Sequence, residues 1–111
     1  IAYSIAHDID EVWYGAHAGD HFIYPDCRPE FLRSMNTAAE LCDPSKISVK
    51  APFINLNKGE ILKIGLDLNI DYSKTWTCYK GLEKACGKCG SCVERIEAFT
   101  DNNSSDPISY S

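Results

Sequence analysis

Apolar and polar residues alternate along this chain with two periods. Ile1, Ala2, Ile5 and Ala6 recur at helical spacing, so the chain opens on what reads as the end of a helix. Glu11 to Ala16, EVWYGA, is short, aromatic and β-branched, which predicts a strand closed by Gly15. HAGDHFIYPDC, residues 17–27, carries Gly, Asp and Pro and predicts a loop. Pro29 then suits a first helical turn, where its missing N–H costs nothing. Phe31, Leu32, Met35, Ala38, Ala39 and Cys42 fall on one face, so a helix is predicted over 29–42, with Cys42 in the core, and Asp43-Pro44 stops it. ISVKAPFI, residues 47–54, predicts a second strand ended near Pro52. Asn57 and Glu60 have the spacing of a capping box before a helix over 58–69, with Ile61, Leu62, Ile64, Gly65 and Leu68 at helical intervals. A Cys-rich loop follows, then a short helix near 91–100 with Val93, Ile96 and Phe99 apolar, and a polar tail expected to be loose.

Helices alternating with strands imply a parallel α/β sheet with right-handed crossovers. Only two strands are found, and two parallel strands make a marginal sheet. The chain therefore reads as part of a larger α/β domain, with something expected upstream of Ile1. In an open sheet of this kind ligands sit beyond the carboxyl ends of the strands, here the loops HAGDHFIYPDCR and PFINLNKGE.

Composition narrows the function classes. A chain of 111 residues with 44% apolar and 24% charged residues can fold as one modest domain. Its net charge of −5 gives no general attraction to nucleic-acid backbones or anionic membranes, so neither is expected as a direct partner. No run of apolar residues is long enough for a transmembrane helix, and IAYSIAHDIDEVW has neither a basic start nor a long apolar stretch, so it does not read as a signal peptide.

The candidate chemistry sits in two places. Cys78, Cys86, Cys89 and Cys92 are spaced C-x7-C-x2-C-x2-C. C-x2-C pairs beside Gly87 and Gly90 suit a tetrahedral zinc ion with four thiolate ligands, a closed structural site without an open position for water. Lys80, Lys84, Lys88 and Arg95 are near enough in sequence to balance its charge. An iron–sulfur cluster also takes four cysteines, although the common ferredoxin run has another spacing and a Pro after its last Cys. Disulfides would make neighbouring pairs compete, and a redox dithiol needs only one pair. Gly81 to Lys88 imitates a phosphate loop, but with five residues between Gly81 and Gly87 rather than four, and with Cys89 where a magnesium-binding hydroxyl belongs.

The loop at 17–30 is the second place. One reading is a solvated turn with Asp26 capping the helix that starts at Pro29. The other is a substrate pocket, with Arg28 for an anion, Asp20 and Asp26 for donors, and Tyr24 for stacking or a hydrogen bond. His17 and His21 would share a metal only on a helix, and Gly19 argues against one. Cys27 is a possible nucleophile with no base beside it in sequence.

Taken together, YPDCRPEF at 24–31, APFINLNKGEILKIGLDLNI at 51–70, TWTCYKGLEKACGKCGSCVERIEAF at 75–99 and the closing DPISY closely resemble the 7-cyano-7-deazaguanine synthase family of queuosine biosynthesis. The resemblance implies the C-terminal part of an adenine-nucleotide α-hydrolase-like, Rossmann-like fold over 1–73, a zinc-binding helical region over 74–101 and a tail over 102–111. It implies a cytoplasmic carbon–nitrogen ligase converting 7-carboxy-7-deazaguanine and ammonia to the nitrile with ATP and Mg2+. Cys78, Cys86, Cys89 and Cys92 would be the Zn2+ ligands. Asp20, Asp26 and Cys27 would be catalytic, and Tyr24, Arg28, Thr75 and Trp76 would bind substrate.

The family's SGGxDS-like ATP loop is absent from these residues, so the partner expected is a missing N-terminal half; a homodimer is possible. Ile23, Leu82 and Ala85 stand where the family commonly has Gly, Gly and His. The alternative reading is a zinc-stapled binding or structural module from a truncated or split gene, with no catalysis of its own.

Overall fold

The computed structural model describes residues 1–45, 47–81 and 83–111. It is a mixed α/β chain of two compact units, Ile1–Asn57 and Lys58–Ser111.

The first unit holds α1 (Ala2–Ala6), β1 (Glu11–Trp13), α2 (Pro29–Cys42) and β2 (Ser48–Lys50). The strands are parallel and pair Glu11 with Ser48, Val12 with Val49 and Trp13 with Lys50. Ser48 N–H donates to the Asp10 carbonyl at 2.8 Å, and Tyr14 N–H to the Lys50 carbonyl at 3.0 Å. Both strands are shorter than their sequence pattern predicts. After Lys50 the chain turns at 52–55, where Pro52 cannot donate to a ladder and Ile54 N–H bonds back to Ala51.

Helix α2 has the predicted bounds, with Pro29 in its first turn. Ala39 is buried, and Leu32, Met35 and Asn36 are half-buried. Cys42, expected in the core, is exposed, its Sγ directed to the Ala38 carbonyl at 3.2 Å. The reason is length: a helix of 14 residues runs roughly 21 Å, whereas three strand residues span roughly 10 Å and cannot cover its last turn. Asn36 reaches the sheet instead. Its Oδ1 accepts from Val49 N–H at 2.8 Å, and its Nδ2 donates to the Val49 carbonyl at 2.7 Å. One side-chain amide thus satisfies both backbone groups that Val49 turns away from β1.

The second unit holds α3 (Lys58–Asp67) and α4 (Gly90–Asp101). Leu62, Ala98 and Phe99 form their common core, flanked by Leu66 and Tyr72. The rings of Tyr72 and Phe99 meet edge to face, with centroids 5.5 Å apart. Helix α3 stops two residues short of the predicted end because Asn69 turns left-handed at φ 56° and Ile70 N–H closes on the Gly65 carbonyl at 2.9 Å. Gly65 is required by close approach, since a methyl there would lie 2.8 Å from Cζ of Tyr72.

The tail is not loose. Arg95, expected to offset charge at the cysteines, is buried in α4 and grips Asp106 through two hydrogen bonds, Nε–Oδ2 at 2.5 Å and Nη2–Oδ1 at 2.9 Å. Tyr110 donates to Asp106 at 2.5 Å and bridges to Ala85. Among the described residues no helix is long and apolar enough to cross a membrane.

Candidate functional site

The cysteine cluster is built within the second unit. Cys78 arrives from an irregular segment, Cys86 from the turn that follows Ala85, and Cys89 and Cys92 from the start of α4. Gly87 makes the tight turn between Cys86 and Cys89 with φ 65°, a left-handed conformation that glycine adopts without strain. The four Sγ atoms lie within 4.8 Å of one another, with Cys86 and Cys92 4.0 Å apart. A tetrahedral ion with Zn–S bonds near 2.3 Å requires sulfur separations of about 3.8 Å, so the donor set fits with small adjustments. Ala85, Ile108 and Tyr110 pack around it.

The backbone prepares these sulfurs for negative charge. Cys78 Sγ accepts from the N–H groups of Gly81 at 3.0 Å, Cys86 at 3.3 Å and Lys80 at 3.4 Å. Cys86 Sγ accepts from Cys89 at 3.4 Å and Lys88 at 3.5 Å. The Cys86 amide is the largest influence holding the Cys78 thiol down to about 6, ahead of those of Lys80 and Gly81. The amide of Tyr79, then that of Cys92, lowers the Cys89 thiol. Cys92 behaves oppositely, because burial pushes its thiol up to about 12. Cys89 also stands at the N-terminus of α4, where the helix dipole favours an anion. Soft donors converging with amide support form a site for one thiophilic cation. Leu82, singled out in the sequence, lies outside the described residues.

The polar loop belongs to the first unit. Residues 18–20 and 25–27 form single 3-10 turns, separated by a turn at 21–23. Arg28, not Asp26, occupies the position before α2, and no side-chain cap forms there. Asp26 is held inside the second 3-10 turn, where its own carbonyl accepts from Tyr14 Oη at 3.4 Å. Arg28 Nε donates to the His21 carbonyl at 2.7 Å, and Ala18 N–H to the Leu56 carbonyl at 2.8 Å. The loops after β1 and β2 therefore meet at one end of the parallel sheet.

His17 Nε2 lies 3.1 Å from Asp20 Oδ2, a pairing the sequence pattern did not single out. His17 Nδ1 and His21 Nε2 are buried without a hydrogen-bond partner among the described residues. Burial is the largest influence raising the Cys27 thiol, followed by the charges of Asp20 and Asp26. The resting Cys27 is therefore a neutral thiol. Tyr24 and its neighbours Phe22 and Ile23 are exposed.

Thr75 and Trp76 belong to the second unit. Thr75 Oγ1 donates to the Tyr72 carbonyl and accepts from Arg95 Nη1, both at 2.8 Å. Trp76 Nε1 donates to the Cys78 carbonyl at 2.9 Å.

Residues 1–103 match the family profile described as queuosine biosynthesis protein QueC. Curated relatives include the 7-cyano-7-deazaguanine synthase of Marinomonas sp., 52% identical over 99% of this chain and 50% of the relative. The 7-cyano-7-deazaguanine synthase 2 of Colwellia psychrerythraea is 56% identical over 100% of this chain and 51% of the relative. The 7-cyano-7-deazaguanine synthase of Psychromonas ingrahamii is 56% identical over 99% of this chain and 50% of its own length. The chain spans about half the length of the curated relatives it matches.

Proposed function

The chain belongs to the QueC family of queuosine biosynthesis proteins, and on that premise we propose that it contributes the substrate loop and a zinc clamp to a cytoplasmic 7-cyano-7-deazaguanine synthase. In this reading the two parallel strands are part of a Rossmann-like sheet, and the ATP-gripping segment is supplied from outside these residues. The observation that carries the proposal is the identity of 52–56% to synthases across essentially the whole chain.

The chemistry follows from the substrate. A carboxylate is a poor electrophile, and ATP with Mg2+ supplies its activation as an acyl-adenylate. Ammonia displaces AMP to give the amide; a second ATP adenylates the amide oxygen, which leaves as AMP while the nitrogen gives up its two protons, and the nitrile remains, with one pyrophosphate released at each activation. Arg28, anchored through Nε by the His21 carbonyl, is proposed to receive the substrate carboxylate. Tyr24 is proposed to lie against the heterocycle. Asp20 and Asp26 are proposed to accept protons from the attacking nitrogen. Cys27, a neutral thiol at rest, acts as a hydrogen-bond donor unless the substrate's arrival lowers it. Thr75 and Trp76 have their polar atoms engaged internally and shape the segment before Cys78. Cys78, Cys86, Cys89 and Cys92 would hold Zn2+, which would supply a cross-link rather than a reactive water, since four thiolates would leave it no open position.

The test supplies the zinc-loaded chain with a separately produced polypeptide carrying the SGGxDS-type segment of a relative, and measures nitrile formation from 7-carboxy-7-deazaguanine, ammonia and ATP. Conversion is expected only when both are present. A mixture that assembles but forms no nitrile overturns the reading.

A further inference from the structure

The four cysteines reach their common centre from three separate stretches of chain: the segment of Cys78, the turn of Cys86, and the start of α4 with Cys89 and Cys92. Residues 106–111 are tied to all three stretches and supply no ligand themselves.

Asp106 makes the first brace. Its carboxylate accepts from Arg95 Nε and Nη2, from Tyr110 Oη, and from Ile108 N–H at 3.2 Å. Arg95 follows Cys92 by three residues on α4. It passes the link on, with Nη1 donating to Thr75 Oγ1 at 2.8 Å and Nη2 to the Tyr72 carbonyl at 3.1 Å. Thr75 in turn precedes Cys78 by three residues. One guanidinium, fixed by Asp106, thus joins α4 to the segment that delivers Cys78.

The second brace is backbone. Ala85 is fully buried, and both of its peptide groups go to the tail. Its N–H donates to the Ser109 carbonyl at 3.0 Å, and Ser111 N–H donates to its carbonyl at 2.9 Å. The next amide, that of Cys86, donates to Cys78 Sγ at 3.3 Å. The Tyr110 ring lies over the Gly87 turn, its Cδ1 3.5 Å from where a methyl on that glycine would stand. Ile108 and Tyr110 also pack against Cys78, Ala85 and Cys92. The contacts close a circuit, from the Cys78 segment through Thr75, Arg95, Asp106 and Tyr110 to Ala85, and back to the Cys78 sulfur.

A sulfur leaves a metal ion by swinging away with the segment that carries it, so bracing the segments keeps the donors together. Groups that orient metal ligands from outside the ligand set typically change affinity by about 10–100-fold. We propose that Asp106 and Tyr110 are positioning residues for the metal site, and that residues 106–111 form a strap that must lift before the ion is released. The proposal rests on the reading of the four cysteines as a zinc site and is independent of nitrile formation.

The experiment follows transfer of zinc from the loaded chain to an excess of a chromophoric chelator, well below the melting temperature. Tyr110→Ala removes ring and brace together and is expected to speed release about ten-fold. Tyr110→Phe keeps the ring over Gly87 but loses the bond to Asp106, and should speed release to a smaller extent. In the cobalt-loaded chain Tyr110→Ala should also weaken the sulfur-to-cobalt absorption band per ion, a signature that loss of stability elsewhere does not move. Leu62→Ala, in the core between α3 and α4, is the control. It should lower the melting temperature and leave the release rate as in wild type. Hydrogen-exchange protection at the Phe99 amide verifies that each variant is folded. Release at the wild-type rate in both Tyr110 variants would overturn the strap, as would an equal acceleration by Leu62→Ala. A wild-type chain that takes up no zinc would remove the zinc reading, and the strap with it.

Discussion

Arg95 and Asp106 meet as a two-pronged ion pair in the interior of the second unit, each side chain only 6% exposed. Burial pulls the Asp106 carboxyl up, but hydrogen bonds from Arg95, Tyr110 and the Ile108 amide, with the charge of Arg95, outweigh it and hold it below the usual carboxylate range. Arg95 is raised first by its bond to Asp106. Both partners are therefore charged in the folded chain, and the tail 102–111 is pinned to α4.

Removing one partner leaves the other buried and uncompensated. Asp106→Asn is expected to cost about 3–5 kcal/mol, read as a lowered melting temperature at neutral pH. A carboxyl with a depressed native pKa contributes stability above its unfolded value and loses it as pH falls through the native one. The wild-type and Asp106→Asn melting temperatures should hence converge below about pH 4. A constant gap down to pH 2 would contradict this account.

Metal removal should act locally. Chelation, or Cys86→Ser, is expected to abolish hydrogen-exchange protection at the Ala85 amide, which bonds to the Ser109 carbonyl at 3.0 Å. Zinc binding in small peptides is worth about 10–16 kcal/mol, so loss of one ligand should be visible in the melting curve. Elemental analysis should give one zinc per chain in wild type, and unchanged melting after chelation would rule out the clamp.

Loading the metal should expel protons. With Cys92 pushed up to about 12, its thiol is neutral at pH 7 and must give up its proton to bind. Calorimetric heats should then vary with the ionisation enthalpy of the buffer. Cys78, held to about 6, has its thiolate favoured above that value and loses it as pH falls through it. Protons compete with the metal for all four thiols, so metal affinity should weaken steadily as pH falls; an affinity independent of pH would contradict the thiolate assignment.

The close approach of Gly65 to Tyr72 makes a separate prediction. Gly65→Ala sets a methyl against the Tyr72 hydroxyl and 2.8 Å from its Cζ. Overpacking of this kind costs typically about 1–3 kcal/mol. Tyr72→Phe in the same chain removes the nearest atom and should restore part of the melting temperature. No loss in Gly65→Ala alone would mean that the ring moves aside freely.

What the sequence could disclose was local. Pro29, an apolar stripe and Asp43-Pro44 fix α2 to the residue, and the four cysteines can be read from spacing because C-x2-C brings sulfurs together through a short turn. Pairings across distance could not be read. Arg95 looked like a surface counter-charge because nothing near it in sequence names Asp106, and residues 102–111 looked loose because polar composition hides a buried aspartate and tyrosine. The Asp-Pro-x-x-Tyr ending was visible as a motif, but its work as an anchor follows only from geometry. Cys42 fell on the apolar face and still reached solvent, since periodicity gives direction and not the length of what lies opposite.

Asn36 decides which way the two-stranded sheet can grow. By occupying both backbone groups of Val49 it blocks lateral extension beyond β2 at that register. The opposite border, along Glu11 and Trp13 of β1, carries no such plug among the hydrogen bonds described. An incoming extended segment, whichever molecule provides it, is thus steered to the β1 side, making β2 a terminal strand by the act of one amide.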